Sequence, residues 1–156
     1  DLRLQYADVP GAPAYRLVRA TWGAGAAADG LGGLLHDGDE PDLLPAHAVG
    51  RLMADWRGSA TEAVVAVAFL LDPMARWEPL HTVADTAGWR SADGPVGPPE
   101  LLDDPASDVA ARLSFWWRRD AVARQVVVDL DGSGRATIGG GRTAVQDAQG
   151  VDGGRP

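Results

Sequence analysis

The pattern that most constrains the fold lies in residues 126–138, where apolar side chains flank a glycine-rich turn. Three apolar residues alternate with other positions and would share one face of an extended strand: Val126, Val128 and Leu130. The turn residues 132–134 read Gly-Ser-Gly, and glycine supplies the positive φ angles that a short reversal needs. The segment 126–138 is therefore predicted to form a β-hairpin.

The segment before this hairpin carries apolar residues at helical spacing. They recur at i, i+3, i+4 and i+7 and would form one stripe: Ala106, Val109, Ala110, Leu113, Trp116 and Trp117. Asp104 and Pro105 suit the N-cap and the first helical position. Arg118 and Arg119 suit the last turn, because positive charge is favourable near a helix C-terminus. The sequence thus predicts a helix over 104–119 that packs on the hairpin.

A second helix is predicted over 45–57. Its apolar residues also follow the i, i+3, i+4, i+7 pattern: Val49, Leu52, Met53 and Trp56. Gly58 is well placed to end this helix. Alternating apolar residues predict short strands near 2–6 and 15–22. The glycine-rich stretch 23–33 is interpreted as a flexible loop.

The apolar segment 63–71 is compatible with either a helix or a strand. Ser59 and Glu62 have the spacing of a capping box, which favours a helix. Three valines and a phenylalanine within nine residues, ended by Asp72 and Pro73, favour a buried strand. We predict a strand.

These elements together predict a small α+β protein. A chain of 156 residues fits one domain. We expect a single domain over 1–141, in which the two predicted helices pack on one face of a small, mainly antiparallel sheet. The polar, glycine-rich residues 142–156 are predicted to be a flexible C-terminal tail.

The charge balance excludes some classes of partner. The formal net charge is −8, the chain contains no lysine, and its 14 basic residues are all arginine. Such a chain repels nucleic acids and anionic membranes, so we expect a protein partner, basic rather than acidic, and neither nucleic acid nor membrane. The high Ala, Gly, Arg and Pro content, without lysine or asparagine, indicates a GC-rich bacterial genome. A cytoplasmic location is expected, although the chain begins at Asp1 rather than Met, so the assignment leaves room for a missing N-terminal segment.

Two clusters of acidic residues are candidate metal sites. His36, Asp37 and Asp39 lie close together, and Asp129 and Asp131 begin a stretch similar to the first half of an EF-hand loop. In the second cluster the position of the bidentate glutamate is Gly140, and a strand pattern precedes the loop. We therefore predict no metal and no cofactor, and retain these five residues as weak candidates only.

Catalytic motifs are scarce. Without cysteine, thiolate chemistry is excluded, and no serine lies in a G-x-S-x-G motif. The leading hypothesis is a non-catalytic protein-binding module: an accessory, antitoxin-like, immunity-like or regulatory protein. Large aromatic and arginine side chains outside the helices are the predicted binding residues: Trp22, Trp77, Trp89 and Arg90.

The alternative hypothesis is a small-molecule-binding protein or a cofactor-free enzyme. Its pocket would lie between the sheet and the tryptophan-bearing loop 77–103. In that case His81 would carry a proton, with Asp85 four residues away as its partner.

Overall fold

The computed structural model describes residues 1–103 and 108–147, which form two β-sheets, three α-helices and one short 3-10 helix. Every strand pair in both sheets is antiparallel. The predicted α+β class is therefore confirmed. No helix in the described part of the chain is long and apolar enough to cross a membrane.

The smaller sheet has three strands in the order β1-β2-β3: Arg3–Asp8, Tyr15–Trp22 and Asp29–His36. The two predicted N-terminal strands are confirmed, but the interpretation of 23–33 as a loop is wrong from Asp29 onward. Glycine is needed in β3 because neighbouring segments approach closely. A Cβ on Gly33 would lie 2.7 Å from Leu43 Cδ2, and one on Gly32 would lie 3.1 Å from the Phe69 carbonyl oxygen.

The larger sheet has six strands. They are β4 to β9 in chain order: Glu78–Leu80, Trp89–Arg90, Glu100–Asp103, Ala111–Arg119, Val122–Leu130 and Ala136–Gln146. The spatial order is β4-β7-β8-β9-β5, and β6 also pairs with β7. The predicted hairpin is confirmed as β8 and β9. Residues 142–146, predicted to belong to a loose tail, instead continue β9, and 148–156 lie outside the described residues.

The predicted helix over 104–119 is wrong, because Ala111–Arg119 is strand β7. Ala111, Leu113 and Phe115 face the main core, whereas Trp116 faces the opposite side of the sheet. A strand with apolar residues on both faces can reproduce helical spacing by chance. Arg112 pairs across the sheet with Asp129, and the predicted cap at 104–105 lies outside the described residues.

The three α-helices are α1 at Pro45–Ala54, α2 at Ala60–Leu71 and α3 at Val83–Thr86. Helix α1 confirms the prediction for 45–57. The strand predicted over 63–71 is wrong, because this segment belongs to α2. The Ser59–Glu62 capping box is formed, and α2 buries residues around most of its circumference, which removes the periodic signal that would have identified a helix.

Two hydrophobic cores hold these elements together. The main core includes buried residues of both sheets, α1 and α2, among them Leu34, Leu52, Val67 and Phe115. The second core lies against the opposite face of the larger sheet: Leu80, Trp89, Trp116, Ala123 and Ala144. The face of the smaller sheet that carries Leu17 and Leu34 belongs to the main core, whereas no residue on its opposite face belongs to either core of the described residues.

Candidate interaction surface

The uncovered side of the smaller sheet, called the outer face below, is apolar at its centre. Strand pairing aligns Leu4 with Ala20 and Ala20 with Leu31 in one row. The neighbouring row aligns Tyr6 with Val18. Alternate residues of the same strands, such as Leu17 and Leu34, point inward and are buried in the main core. The sheet therefore presents apolar residues on both of its faces.

These side chains are accessible to an extent that is unusual for their size. Leu4 is 54% exposed, Tyr6 51% and Leu31 49%, while Leu43 at the adjacent loop is 48% exposed. Together with Val18, Ala20, Glu40 and Pro41 they line a groove of about 520 Å³. Contiguous apolar surface bordered by polar residues is typical of an interaction site.

The groove lies beside an open sheet edge. Strand β1 pairs with β2 on one side and with no other strand of the described chain. All six of its residues are exposed. An edge strand with unpaired backbone N–H and C=O groups can accept an additional strand from another chain. Backbone pairing and side-chain packing are thus available at the same place.

Acidic groups surround the outer face. Glu40 lines the groove itself, and Asp8 and Asp29 lie at the ends of β1 and β3. The guanidinium of Arg16, which lies on the outer face, is 3.5 Å from an Asp8 oxygen and packs over the Tyr6 ring at 5.2 Å. The border is therefore acidic, in keeping with the net charge of −8.

The four residues predicted to bind a partner lie in different places. Trp22 is 39% exposed at the end of β2, where the strand alternation puts it on the outer face with Val18 and Ala20. Trp89 is buried in the second core, and Arg90 beside it pairs with Asp147 at 2.9 Å. Trp77 is half-buried and stacks on Trp117. Only Trp22 of the four belongs to the outer face.

The alternative catalytic pair does not form a side-chain contact suited to proton transfer. The Asp85 carboxylate accepts hydrogen bonds from the backbone N–H groups of His81 and Thr82, each at 3.0 Å, and so completes the capping box of α3. The backbone hydrogen bond from Thr82, with the one from His81, lowers the pKa of Asp85. The carboxylate is therefore committed to a helix N-terminus.

His81 itself lines a small apolar groove of about 210 Å³ between α2 and the segment leading into β4. Its Nδ1 atom is buried and makes no hydrogen bond within the described residues. Trp77 also lines this groove, but Trp89 lies on the far side of the larger sheet in the second core. The groove thus contains His81 and Trp77 of the 77–103 loop, but not Trp89.

The first weak metal candidate forms ion pairs within the protein. His36 Nδ1 lies 3.3 Å from an Asp39 oxygen, and Arg51 lies 3.4 Å from the same carboxylate. Asp37 is exposed in the turn that follows β3. No group of three metal-ligating side chains converges in the parts of the chain described, 1–103 and 108–147.

The second weak metal candidate has structural roles in the hairpin. The Arg112 guanidinium donates hydrogen bonds to both Asp129 oxygens, at 2.6 and 3.0 Å, and these bonds lower the pKa of Asp129. The Asp131 carboxylate accepts from the Ser133 hydroxyl at 2.6 Å and from the Arg135 N–H at 3.0 Å, which lowers the pKa of Asp131. These hydrogen bonds are typical of a tight turn in which an aspartate side chain bonds to the residues that follow it.

Sequence reasoning identified Trp22 but missed the rest of the outer face. The signal was present, since Leu2, Leu4 and Tyr6 alternate with Arg3 and Gln5. Alternation shows that a strand has two unlike faces, but it does not show which face the helices cover.

Comparison with known proteins adds no assignment. No protein family matches this chain, and no curated protein or solved structure matches it significantly.

Proposed function

We propose that this protein is a non-catalytic binding module whose outer face docks an extended, basic segment of a protein partner. The observation that carries the proposal is the apolar groove of about 520 Å³ directly beside the open edge of β1. A partner strand pairing with β1 would place alternate side chains on the outer face, directly beside Leu4 and Tyr6 at one side of the groove. Backbone hydrogen bonds would supply affinity, and the groove would supply specificity.

Charge complementarity supports a basic partner. Glu40 in the groove, with Asp29 at the border, would attract lysine or arginine side chains on the docking segment. Arg16 would offer little repulsion, because Asp8 already neutralises it at 3.5 Å. The net charge of −8 would in addition accelerate the encounter with a basic partner.

The same charges disfavour a second copy of this chain as the occupant. Pairing two β1 edges around a two-fold axis would bring two copies of the acidic border together. Each copy carries a net charge of −8, so the approach would be repulsive. A heterologous partner is therefore the occupant that we propose.

A module of this kind fits an accessory, antitoxin-like, immunity-like or regulatory role in a bacterium with a GC-rich genome, acting in the cytoplasm. We also propose a single domain, predicted from the sequence over 1–141 and extended by β9 to Gln146, with the predicted helix α1 and, in place of the helix predicted over 104–119, helix α2 on the core-facing side of the sheets. One core shared by both sheets and both helices supports this.

The test uses short synthetic peptides whose outer-face positions, every second residue, are leucine or tyrosine at the centre and lysine or arginine at both ends, with threonine between them, so that apolar and basic side chains share the face toward Leu4 and Glu40. A matched set carries aspartate or glutamate at the charged positions. Binding is measured by fluorescence anisotropy at low and at physiological salt. The proposal predicts that the basic set binds, that salt weakens the binding, and that the acidic set does not bind.

Two variants localise the binding. Leu4→Asp puts a charge where the partner's apolar side chains must pack, and should weaken binding of the basic peptides by about ten-fold or more. Val83→Asp is the matched control, because Val83 is 73% exposed in α3, far in the chain from the outer face. Equal binding of basic and acidic peptides, an unchanged affinity in Leu4→Asp, or a stable dimer in sedimentation would each contradict the proposal.

A further inference from the structure

A second pocket, on the core-facing side of the larger sheet, lies where α2 ends. Its volume is about 520 Å³, within the range of small-molecule sites. The side chains around it come from the last residue of α2 and from β7, β8 and β9: Leu71, Trp117, Arg124, Val126, Ile138 and Thr143. None of these residues belongs to the outer face.

An ordered aromatic wall borders this pocket. The Trp117 ring stacks on Trp77, with centroids 5.7 Å apart and planes inclined by 29°. Phe115 meets Trp117 edge-on, with centroids 5.7 Å apart and an angle of 90°. The contacts with Trp77 and Phe115 hold the indole in place, so that the part of Trp117 that lines the pocket can pack against a flat ligand with little loss of side-chain entropy.

The pocket has a positive charge that no acidic group of the described residues neutralises. Arg124 packs over Trp77 at 5.2 Å, and the described residues place no carboxylate within ion-pair distance of it. Three other arginines of this sheet do form such pairs: Arg90 with Asp147, Arg112 with Asp129 and Arg118 with Glu78. The pocket lining contains no aspartate or glutamate among the described residues. In a chain of net charge −8, this is a local site for an anion.

A β-bulge interrupts the strand pairing beside the pocket, and Gly140, Gly141 and Arg142 of this stretch line it. The pairing of β8 with β9 shifts between Arg124 and Val126, and the ladder omits Gly141 and Arg142. Gly140 has a φ of +150°, and a Cβ there would lie 2.0 Å from the Gln125 carbonyl oxygen, so only glycine fits. Arg142 contributes its main chain alone, because its guanidinium lies over Trp116 at 5.3 Å, on the other face of the sheet.

We propose that this pocket binds a small aromatic anion. The ring of the ligand packs against Trp117 and the apolar floor of Val126 and Ile138. Its carboxylate, or an equivalent anionic group, pairs with the Arg124 guanidinium. Thr143, which is paired with Arg124 across the strands, also lines the pocket.

This site is independent of the proposed docking function. It lies on the larger sheet, whereas docking uses the outer face of the smaller one. It also differs from the small-molecule pocket expected at the 77–103 loop, from which only Trp77 takes part, through its contact with Trp117.

The test compares 2-naphthoate with 2-naphthamide by isothermal titration calorimetry. The two probes have the same ring system and nearly the same shape, but only naphthoate is charged. The proposal predicts that naphthoate binds the wild-type protein at least about ten-fold more tightly than naphthamide, in keeping with a charge-assisted hydrogen bond. Equal affinity for both probes, or no binding of naphthoate, would overturn it.

Variants separate this pocket from other apolar surfaces. Arg124→Gln should abolish the preference for naphthoate, whereas Arg119→Gln, at the exposed end of β7 and outside the pocket, should keep it. Thr143→Trp should block both probes by filling the mouth of the pocket. Leu4→Asp on the outer face should change neither affinity, and a loss of naphthoate binding in that variant would place the probe elsewhere and overturn the proposal.

Discussion

A Cβ atom added to Gly50 in α1 would lie 2.7 Å from the carbonyl oxygen of Gly134 in the β8–β9 turn. This close approach explains why a glycine occurs inside an otherwise regular helix. Glycine lowers intrinsic helix stability by about 1 kcal/mol relative to alanine. Here it allows α1 to pack directly on the hairpin turn.

We predict that Gly50→Ala destabilises the protein despite the better helix propensity of alanine. The added methyl group must displace backbone of the turn, and such overpacking costs about 1–3 kcal/mol. The free energy of unfolding in urea should fall accordingly. Gly139→Ala is the control, because its Cβ would meet nothing within 4 Å. A Gly50→Ala protein as stable as wild type would show that α1 does not contact the turn in this way.

The capping box of α2 gives a second prediction. The Ser59 hydroxyl accepts from the Glu62 N–H at 3.2 Å, and the Glu62 carboxylate accepts from the Ser59 N–H at 3.0 Å. Ser59→Ala should reduce the free energy of unfolding by about 1 kcal/mol. Thr61→Ala, exposed on the same turn, should have a much smaller effect, and a similar loss in both variants would argue against the box.

The Arg112–Asp129 pair predicts a pH dependence of stability. The hydrogen bonds from Arg112 hold the pKa of Asp129 below its ordinary value of 3.8. A depressed carboxyl pKa stabilises the fold when the pH is well above 3.8, and this contribution is lost as the pH falls through the folded-state pKa. Asp129→Asn should therefore be less stable than wild type at neutral pH and should approach it in acid.

The measurement is a series of urea unfolding midpoints between neutral and acidic pH. Glu100→Gln is a suitable control, because Glu100 is exposed in β6 and forms no ion pair within the described residues. A difference between wild type and Asp129→Asn that stays constant with pH would contradict the assignment of the pair.

Local patterns predicted the elements whose signal is contained in a few adjacent residues. Helix α1 follows from the spacing of Val49, Leu52 and Met53, all of which are buried. The hairpin follows from its alternation and its Gly-Ser-Gly turn, and Asp131 closes that turn as an ordinary reversal would. In both cases the tertiary structure agrees with the local preference.

The two wrong secondary-structure predictions concern segments that are buried on several sides. Such burial removes the periodic spacing of apolar residues or imitates the spacing of another element. Strand β7 packs Phe115 into the main core and Trp116 into the second core, so its apolar residues match a helical spacing. Helix α2 buries Val64 and Val67 completely, so its apolar run resembles a buried strand. The distinction depends on which segments lie opposite, and that is non-local.

The candidate sites likewise combine residues that a local pattern identifies with packing that only the tertiary structure shows. Leu4 and Tyr6 were visible as one face of a strand, but their exposure depends on helices packing against the opposite face. The anion pocket depends on Arg124, Trp117 and the bulge of β9, which lie on three strands. No local motif connects these residues.

The most direct measurement for the docking function is amide hydrogen exchange with and without a basic strand peptide. If the partner pairs with the open edge, exchange in β1 should slow markedly, and exchange in β6 at the edge of the larger sheet should not change. Protection of β1 by the basic peptide, but not by its acidic counterpart, is the predicted result. Exchange in β1 that stays unchanged at saturating peptide would contradict the account.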